Sequence, residues 1–172
     1  EVVANERRYR VDDDVDGAVS EELYKTAFTT HGYGTPTIGW MDDIKGFVPQ
    51  DCQTFYGTYY APNNATLVVV GDFREIATLR RIVKAYGGLK AAQIPLEDAR
   101  PEPPQVQERT LTMHKPTPTE KVSIGYRGPA LGDADHVALS LLNDVLFGGR
   151  ASRVHRALVQ DAELATDVRG WV

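Results

Sequence analysis

One carboxylate near the start of the chain stands out because of where its side chain would lie. The first ten residues read as a helix, and on it Glu6 shares a face with Val2 and Tyr9. A carboxylate on an apolar face is costly unless it is paired with a base or bound to a metal. Glu6 is therefore either the partner of Arg7, Arg10 or another base, or a metal ligand.

The other residues that could carry chemistry form no complete site in this sequence. No histidine begins H-E-x-x-H or H-x-x-E-H, and there is no G-x-S-x-G, Walker or G-x-G-x-x-G motif. The GGRAS segment at residues 148–152 lacks the lysine of a phosphate loop and favours a helix stop followed by a cap. The acidic run at residues 12–16 lacks the glycine and terminal glutamate of a calcium loop, which favours a solvated charge run.

Composition narrows the possible classes of protein. The chain has 172 residues, 42% of them hydrophobic, which is enough for one large or two small domains. The net charge of −5 disfavours nucleic acid as a partner. A single cysteine excludes a disulfide framework. The longest strongly apolar run, residues 67–70, is too short to span a bilayer, so no membrane span is expected.

Hydrophobic periodicity predicts several helices that would position these residues. Apolar residues recur at helical spacing over residues 19–28 and 76–86, the latter run ending at a Gly-Gly pair. Pro49 can start a helix that runs to about Tyr60. Asp133 can cap a helix that stops at residues 148–149, and another short helix is expected over residues 152–160.

Other segments predict strands and a domain boundary. The β-branched run at residues 65–70 is typical of an interior strand, and residues 110–113, 121–126 and 165–172 also read as strands. Four of the ten prolines fall between residues 95 and 104. Since proline-rich segments are extended, we predict a first domain at residues 1–92, a linker at 93–107 and a second domain at 108–172.

Several stretches, in order and over nearly the whole chain, resemble the insulinase/pitrilysin, or inverzincin, zinc metallopeptidases, within their processing-peptidase-like bacterial branch. They are EVVANERR at residues 1–8, HGYG at 31–34 with PTIGW at 36–40, FYGTYYAPNNATLVVVGDF at 55–73, IGY at 124–126 and GGRASR at 148–153. One departure is Gly32, where relatives commonly carry proline.

The resemblance implies an α+β fold. Such proteins are built from α/β rolls of the LuxS/MPP-like type, in which helices pack on mostly antiparallel sheets. Residues 1–92 would be the C-terminal part of a first roll and residues 108–172 the N-terminal part of a second. The sequence would then be an internal fragment of a longer protein.

The resemblance also implies a zinc site that is only partly present. In this family H-x-x-E-H supplies two histidine ligands and a glutamate general base, and a glutamate on a later helix is the third ligand. By motif alignment that third ligand is Glu6, while H-x-x-E-H would lie upstream. Two imidazoles and a carboxylate leave one zinc position open for water. We expect zinc in the intact protein and not in this chain alone, because one carboxylate cannot form a catalytic zinc site.

The expected function is that of a zinc metalloendopeptidase that hydrolyses peptide bonds in peptides or unfolded segments, of which this chain would be an inactive part. The alternative is a non-catalytic partner subunit of the same fold that binds peptide or supports assembly. Expected partners are a peptide or unfolded protein substrate and a second copy or homologous half. The sequence does not decide the cellular compartment. The resemblance implies a bacterial protein, with export to the periplasm as one destination.

Overall fold

The computed structural model of the chain describes residues 1–96 and 100–172. The described residues form short helices joined by irregular segments. The α-helices are α1 (Val2–Arg7), α2 (Val15–Ala27), α3 (Met41–Gly46), α4 (Pro49–Tyr59), α5 (Glu75–Tyr86), α6 (Ala134–Phe147) and α7 (Arg153–His155). π-Helical turns, Arg8–Asp12 and Arg156–Asp161, extend α1 and α7, and 3₁₀ turns lie at Gly32–Gly34 and Pro62–Asn64.

The helix ends follow local chemistry, and the sequence located most of them. Pro49 occupies the first turn of α4, where its missing N–H costs nothing. Gly87 follows the last residue of α5, and Gly148 follows that of α6. The helix predicted over residues 152–160 is confirmed as α7 and the π-helical turn after it. Helix α3 had no counterpart in the sequence prediction.

The predicted α+β fold of two partial α/β rolls is wrong for this structure, which is helical and contains no strand within the described residues. None of the four segments predicted as strands is paired into a sheet. Val68 and Val70, in the run predicted as an interior strand, are 75% and 92% exposed. A β-branched run favours extended backbone, but a strand also requires a neighbour that takes its hydrogen bonds. Residue pattern alone does not supply that neighbour.

The chain divides into two compact units, residues Glu1–Ser123 and Ile124–Val172. The predicted domains at 1–92 and 108–172, with a linker at 93–107, stay a prediction, and residues 97–99 of that linker lie outside the described residues. No helix within the described ranges is both long and apolar enough to cross a membrane.

The first unit has a small core between its first three helices. Ala4 of α1, Ala18 of α2 and Ile44 of α3 are buried, and α1 packs against α3. Arg7 is buried with them. The two alanines allow the backbones to approach closely, and Ile44 and Arg7 fill the rest of this small core.

An extended segment, residues 100–121, crosses the first unit beside α2; we call it the strap. The carboxylate of Glu102 accepts a hydrogen bond from the amide of Thr29 in the turn after α2. Arg109 Nη1 donates to the carbonyl oxygen of Thr26 at the end of α2, at 2.8 Å. Lys115 donates to the carbonyl of Asp12 before α2, and Lys121 pairs with Asp16 in its first turn. Residues 102–115 of the strap therefore run antiparallel to α2 from end to end, and Lys121 comes back to its first turn; charged side chains fasten the strap.

The second unit is built around α6. Helix α7 packs against α6, and Asn143 Nδ2 donates to the carbonyl of Gly170 at 3.1 Å. A Cβ atom at Gly170 would lie 2.3 Å from the ring of Phe147, so only glycine allows the final segment to lie this close to α6. This close packing fixes residues around Gly170 against the end of α6.

Candidate functional site

Glu6 lies on α1, one residue before the end of that helix. Its Oε1 atom is 3.0 Å from Nε of Arg10, one turn along the chain, and its side chain is 47% exposed. The alternative that Glu6 pairs with a neighbouring arginine is therefore confirmed for Arg10. The pair is exposed on both sides, so it contributes little to stability and leaves the carboxylate accessible.

The face of α1 that carries Glu6 is not buried in this structure, contrary to the sequence prediction. Val2 and Tyr9 are each 80% exposed. The buried face of the helix instead contains Ala4 and Arg7, which are three residues apart. Sequence reasoning chose the more apolar face, but α1 packs through its smallest residue and its arginine.

Arg7 links three segments near Glu6, a role that the sequence did not predict. Its guanidinium donates to both carboxylate oxygens of Glu21, at 2.8 Å each, and to the carbonyl of Gly39, at 2.8 Å. It also lies over the ring of Trp40, 5.8 Å from the centroid. The hydrogen bond with Glu21 is the main cause that raises the pKa of Arg7, so the ion pair stays charged. Arg7 thus joins α1 to α2 and to the turn before α3.

His31 and His136 make local contacts, each within its own unit. His31 Nδ1 accepts from the amide of Tyr33 at 3.1 Å, which closes a local turn. His136 lies one turn before Ser140 on α6. No three His, Cys, Asp or Glu side chains come together as a metal site within residues 1–96 and 100–172. A catalytic zinc ion takes three protein ligands, so these residues do not by themselves fit one, and Glu6 supplies at most one ligand.

Comparison with known families decides the classification. The model of the peptidase M16 inactive domain matches residues 46–172, well over half of the chain. This chain belongs to the peptidase M16 family. The insulinase/pitrilysin resemblance is thereby confirmed. Glu6 precedes the matched region, so its assignment as a metal ligand stays a prediction.

Two bacterial relatives support the M16 classification. The chain is 36% identical to the zinc protease PqqE of Helicobacter pylori over 172 residues, covering 96% of this chain and 38% of that protein. It is 25% identical to YmxG of Bacillus subtilis, an uncharacterized zinc protease, covering 93% of this chain and 38% of that protein. The chain thus spans about two fifths of the length of these M16 relatives.

A solved structure also resembles this M16 chain. The crystal structure of a protease from Helicobacter pylori matches 96% of the chain with a TM-score of 0.77 and 32% sequence identity. The match covers 41% of that chain. The path of the described backbone therefore follows part of a known protease.

Proposed function

We propose that this chain is part of a zinc-dependent M16 endopeptidase that hydrolyses peptide bonds in peptides or unfolded segments. The observation that carries the proposal is the match to the M16 inactive domain, together with 36% identity to a protein named as a zinc protease. The chain covers 38% of that relative, so the activity belongs to a longer protein to which this chain contributes.

Within that protein we assign Glu6 as one ligand of the zinc ion. Its support is the alignment of residues 1–8 with the family motif and the accessible carboxylate on α1. Arg10, 3.0 Å away, must release Glu6 when the metal is bound, because a carboxylate paired with a cation is a weaker ligand. Two further ligands and the general base would come from outside these residues.

A second candidate function is that of a non-catalytic partner subunit. The matched family model is the inactive domain of M16 peptidases, which favours a role in enclosing substrate or supporting assembly for residues 46–172. The two functions differ in one respect that can be measured directly, since only the first requires the full-length protein to bind zinc and cleave peptides by itself.

The Glu6→Gln substitution in the full-length protein tests the proposal. We expect it to remove stoichiometric zinc and to reduce cleavage of an unfolded protein substrate by more than about 100-fold, because loss of a direct ligand should exceed the effect of removing its supporting hydrogen bonds. Zinc is measured by mass spectrometry and cleavage by release of peptides. Retention of both zinc and activity would show that the ligand assignment is wrong.

The matched control is Glu22→Gln. Glu22 forms an exposed helical ion pair with Lys25 at 3.1 Å, which resembles the pair of Glu6 and Arg10. We expect this control to keep both zinc and activity. A wild-type full-length protein that lacks zinc and cleaves nothing alone, but restores cleavage when mixed with a homologous subunit, would favour the partner-subunit function.

A further inference from the structure

A cavity of about 340 Å³ lies in the second unit, and neither proposed function uses it. Its wall is formed by the end of α6 and the loop after it, by α7, and by the segment before Gly170. The lining residues are Phe147, Gly149, Arg150, His155, Thr166, Asp167, Val168 and Arg169. The volume is within the range of small-ligand sites, about 300–1,000 Å³.

Two contacts hold the walls of the cavity in place. The Nε2 atom of Gln160 donates to the carbonyl of Arg150 at 3.2 Å, which ties the loop after α6 to the π-helical turn after α7. The close packing of Gly170 on Phe147 holds the opposite segment. A ligand would therefore enter a space whose sides are already arranged, which lowers the entropy lost on binding.

Three charged side chains line the cavity, and two of them, Asp167 and Arg169, pair with each other. Arg169 Nε is 2.8 Å from Asp167 Oδ2, so these two side chains neutralise each other. Arg150 is exposed and forms no ion pair within the part of the chain that the structure describes. The cavity therefore carries a net positive charge from Arg150, whose planar guanidinium matches the two oxygens of a carboxylate.

His155 and the apolar walls add to this arrangement. The imidazole of His155 lines the cavity, and its Nδ1 atom is buried without a hydrogen-bond partner in the described residues. An unpaired buried nitrogen is unfavourable, which leaves the ring of His155 free of a competing hydrogen bond at this atom. Phe147 and Val168 provide apolar surface for a short carbon chain next to the anionic group.

We propose that this cavity binds a carboxylate group of a peptide, with Arg150 as its cationic partner and Phe147 and Val168 against the adjoining carbon atoms. The inference rests on the proposed function, since a peptide is the ligand that an M16 protease encloses. The carboxylate could belong to an acidic side chain or to the C-terminus of the peptide, and the two sources present the same chemistry to Arg150.

Three blocked dipeptides distinguish the sources. Acetyl-leucyl-glutamate amide carries a carboxylate on its side chain, acetyl-leucyl-glutamine carries one at its C-terminus, and acetyl-leucyl-glutamine amide carries none. Their affinities for the full-length protein, treated with EDTA so that a metal cannot bind them, are measured by calorimetry. We expect one or both carboxylate peptides to bind more tightly than the amide. In nuclear magnetic resonance spectra, the same peptides should shift the ring resonances of His155.

The substitution Arg150→Gln should weaken carboxylate binding by about tenfold or more, because a charge-assisted bond becomes a neutral one. The matched control is Arg156→Gln, an exposed arginine that does not line the cavity, and it should change nothing. Any of four results would overturn the proposal. They are equal binding of all three peptides, no measurable binding, equal effects of the two substitutions, and binding of inorganic phosphate alone.

The same experiment separates this proposal from the proposed function. If the zinc-loaded protein cleaves an unfolded substrate but Arg150 makes no difference to the binding of carboxylate peptides, only the cavity proposal is refuted. If the protein holds no zinc and cleaves nothing, but binds carboxylate peptides through Arg150, only the protease function is refuted. The cavity then remains a peptide-binding site.

Discussion

At the scale of single residues, the two charged side chains near the end of α1 have opposite environments. Glu6 is half exposed and pairs with Arg10 across one turn. Its neighbour Arg7 is 6% exposed and bonds Glu21 with both amino groups. Consecutive helical residues point about 100° apart, so Arg7 can anchor the helix while Glu6 stays available for a ligand role.

Replacing Arg7 should destabilise the fold more than replacing any exposed arginine. Arg7→Met leaves the Glu21 carboxylate, which is 11% exposed, and the carbonyl of Gly39 without their donor. Removing one partner of a buried ion pair costs about 3 kcal/mol or more. We expect a loss of that size in the free energy of unfolding, measured by urea denaturation.

The control for that measurement is Arg8→Met. Arg8 is exposed, and among the described residues its side chain donates only to Asn5 Oδ1, at 2.6 Å. Its loss should therefore change stability by less than about 0.5 kcal/mol. If Arg7→Met proves too unstable to study, Arg7→Lys keeps the charge but loses the two parallel bonds, and should be intermediate. Equal stability of the Arg7 and Arg8 variants would contradict the anchoring role.

At the scale of elements, one carboxylate fastens the N-terminal end of the strap. Glu102 accepts hydrogen bonds from the amides of Thr29, Thr30 and His31, at 2.7–2.8 Å, and from the hydroxyl of Thr29 at 2.8 Å. Desolvation raises the pKa of Glu102, but these hydrogen bonds lower it more, so its net pKa falls well below the ordinary 4.5. The strap is thus fastened by an ionised Glu102.

The contribution of Glu102 should therefore disappear in acid. A carboxylate with a lowered pKa in the folded state stabilises that state above its unfolded pKa, and the effect fades as pH falls from about 4.5 towards the folded value. Glu102→Gln should lower stability at neutral pH, and its difference from the wild type should shrink below pH 4.5. Unfolding in urea across a pH series measures this difference.

Hydrogen exchange locates the same effect on the chain. In Glu102→Gln the amides of Thr29, Thr30 and His31 should exchange faster, because they lose an anionic acceptor. Glu108→Gln is the control, since the exposed Glu108 carboxylate accepts from the hydroxyl of Thr110 within the strap. Unchanged exchange at all three amides in Glu102→Gln would refute the fastening role.

At the scale of the whole molecule, each of the two units leaves large apolar side chains exposed. In the first unit Val70 is 92% and Leu96 is 98% exposed, and in the second unit Leu131 is 87% exposed. Such a surface is normally covered by other protein.

We therefore predict that the isolated 172-residue chain self-associates. Its net charge of −5 opposes association only weakly, because charges more than about 8 Å apart are largely screened at physiological salt. Sedimentation velocity over a dilution series should show dimers or larger assemblies that dissociate on dilution. A species of 19.0 kDa at every concentration would contradict this prediction. In the full-length protein, we expect other segments of the same chain to cover much of this surface.

Local interactions explain why the helices could be predicted from sequence. Helical periodicity and the residues at helix ends act within a few positions along the chain, and they placed the start of α4 at Pro49 and the end of α5 before Gly87. The family motifs, which are also written in the sequence, led to the M16 classification that the comparisons confirm.

The strands could not be settled in that way, because a sheet depends on pairing between segments distant in sequence. Residues 65–70 have the composition of a buried strand, yet no described segment pairs with them. The face of α1 followed the same rule. Val2 and Tyr9 make one side apolar, but packing against α3 and the ion pair of Arg7 with Glu21 of α2 selected the side with Ala4 and Arg7.

The sequence by itself determined most of the helix positions, the family and Glu6 as a candidate zinc ligand. Only the tertiary structure decided which side chains share a site. It brought Arg7 to Glu21, Glu102 to the turn after α2, and Arg150 to the same cavity as residues 166–169. The physical reason is that a charged residue looks the same in sequence whether it is exposed or buried. Its role depends on partners that folding brings close from distant positions.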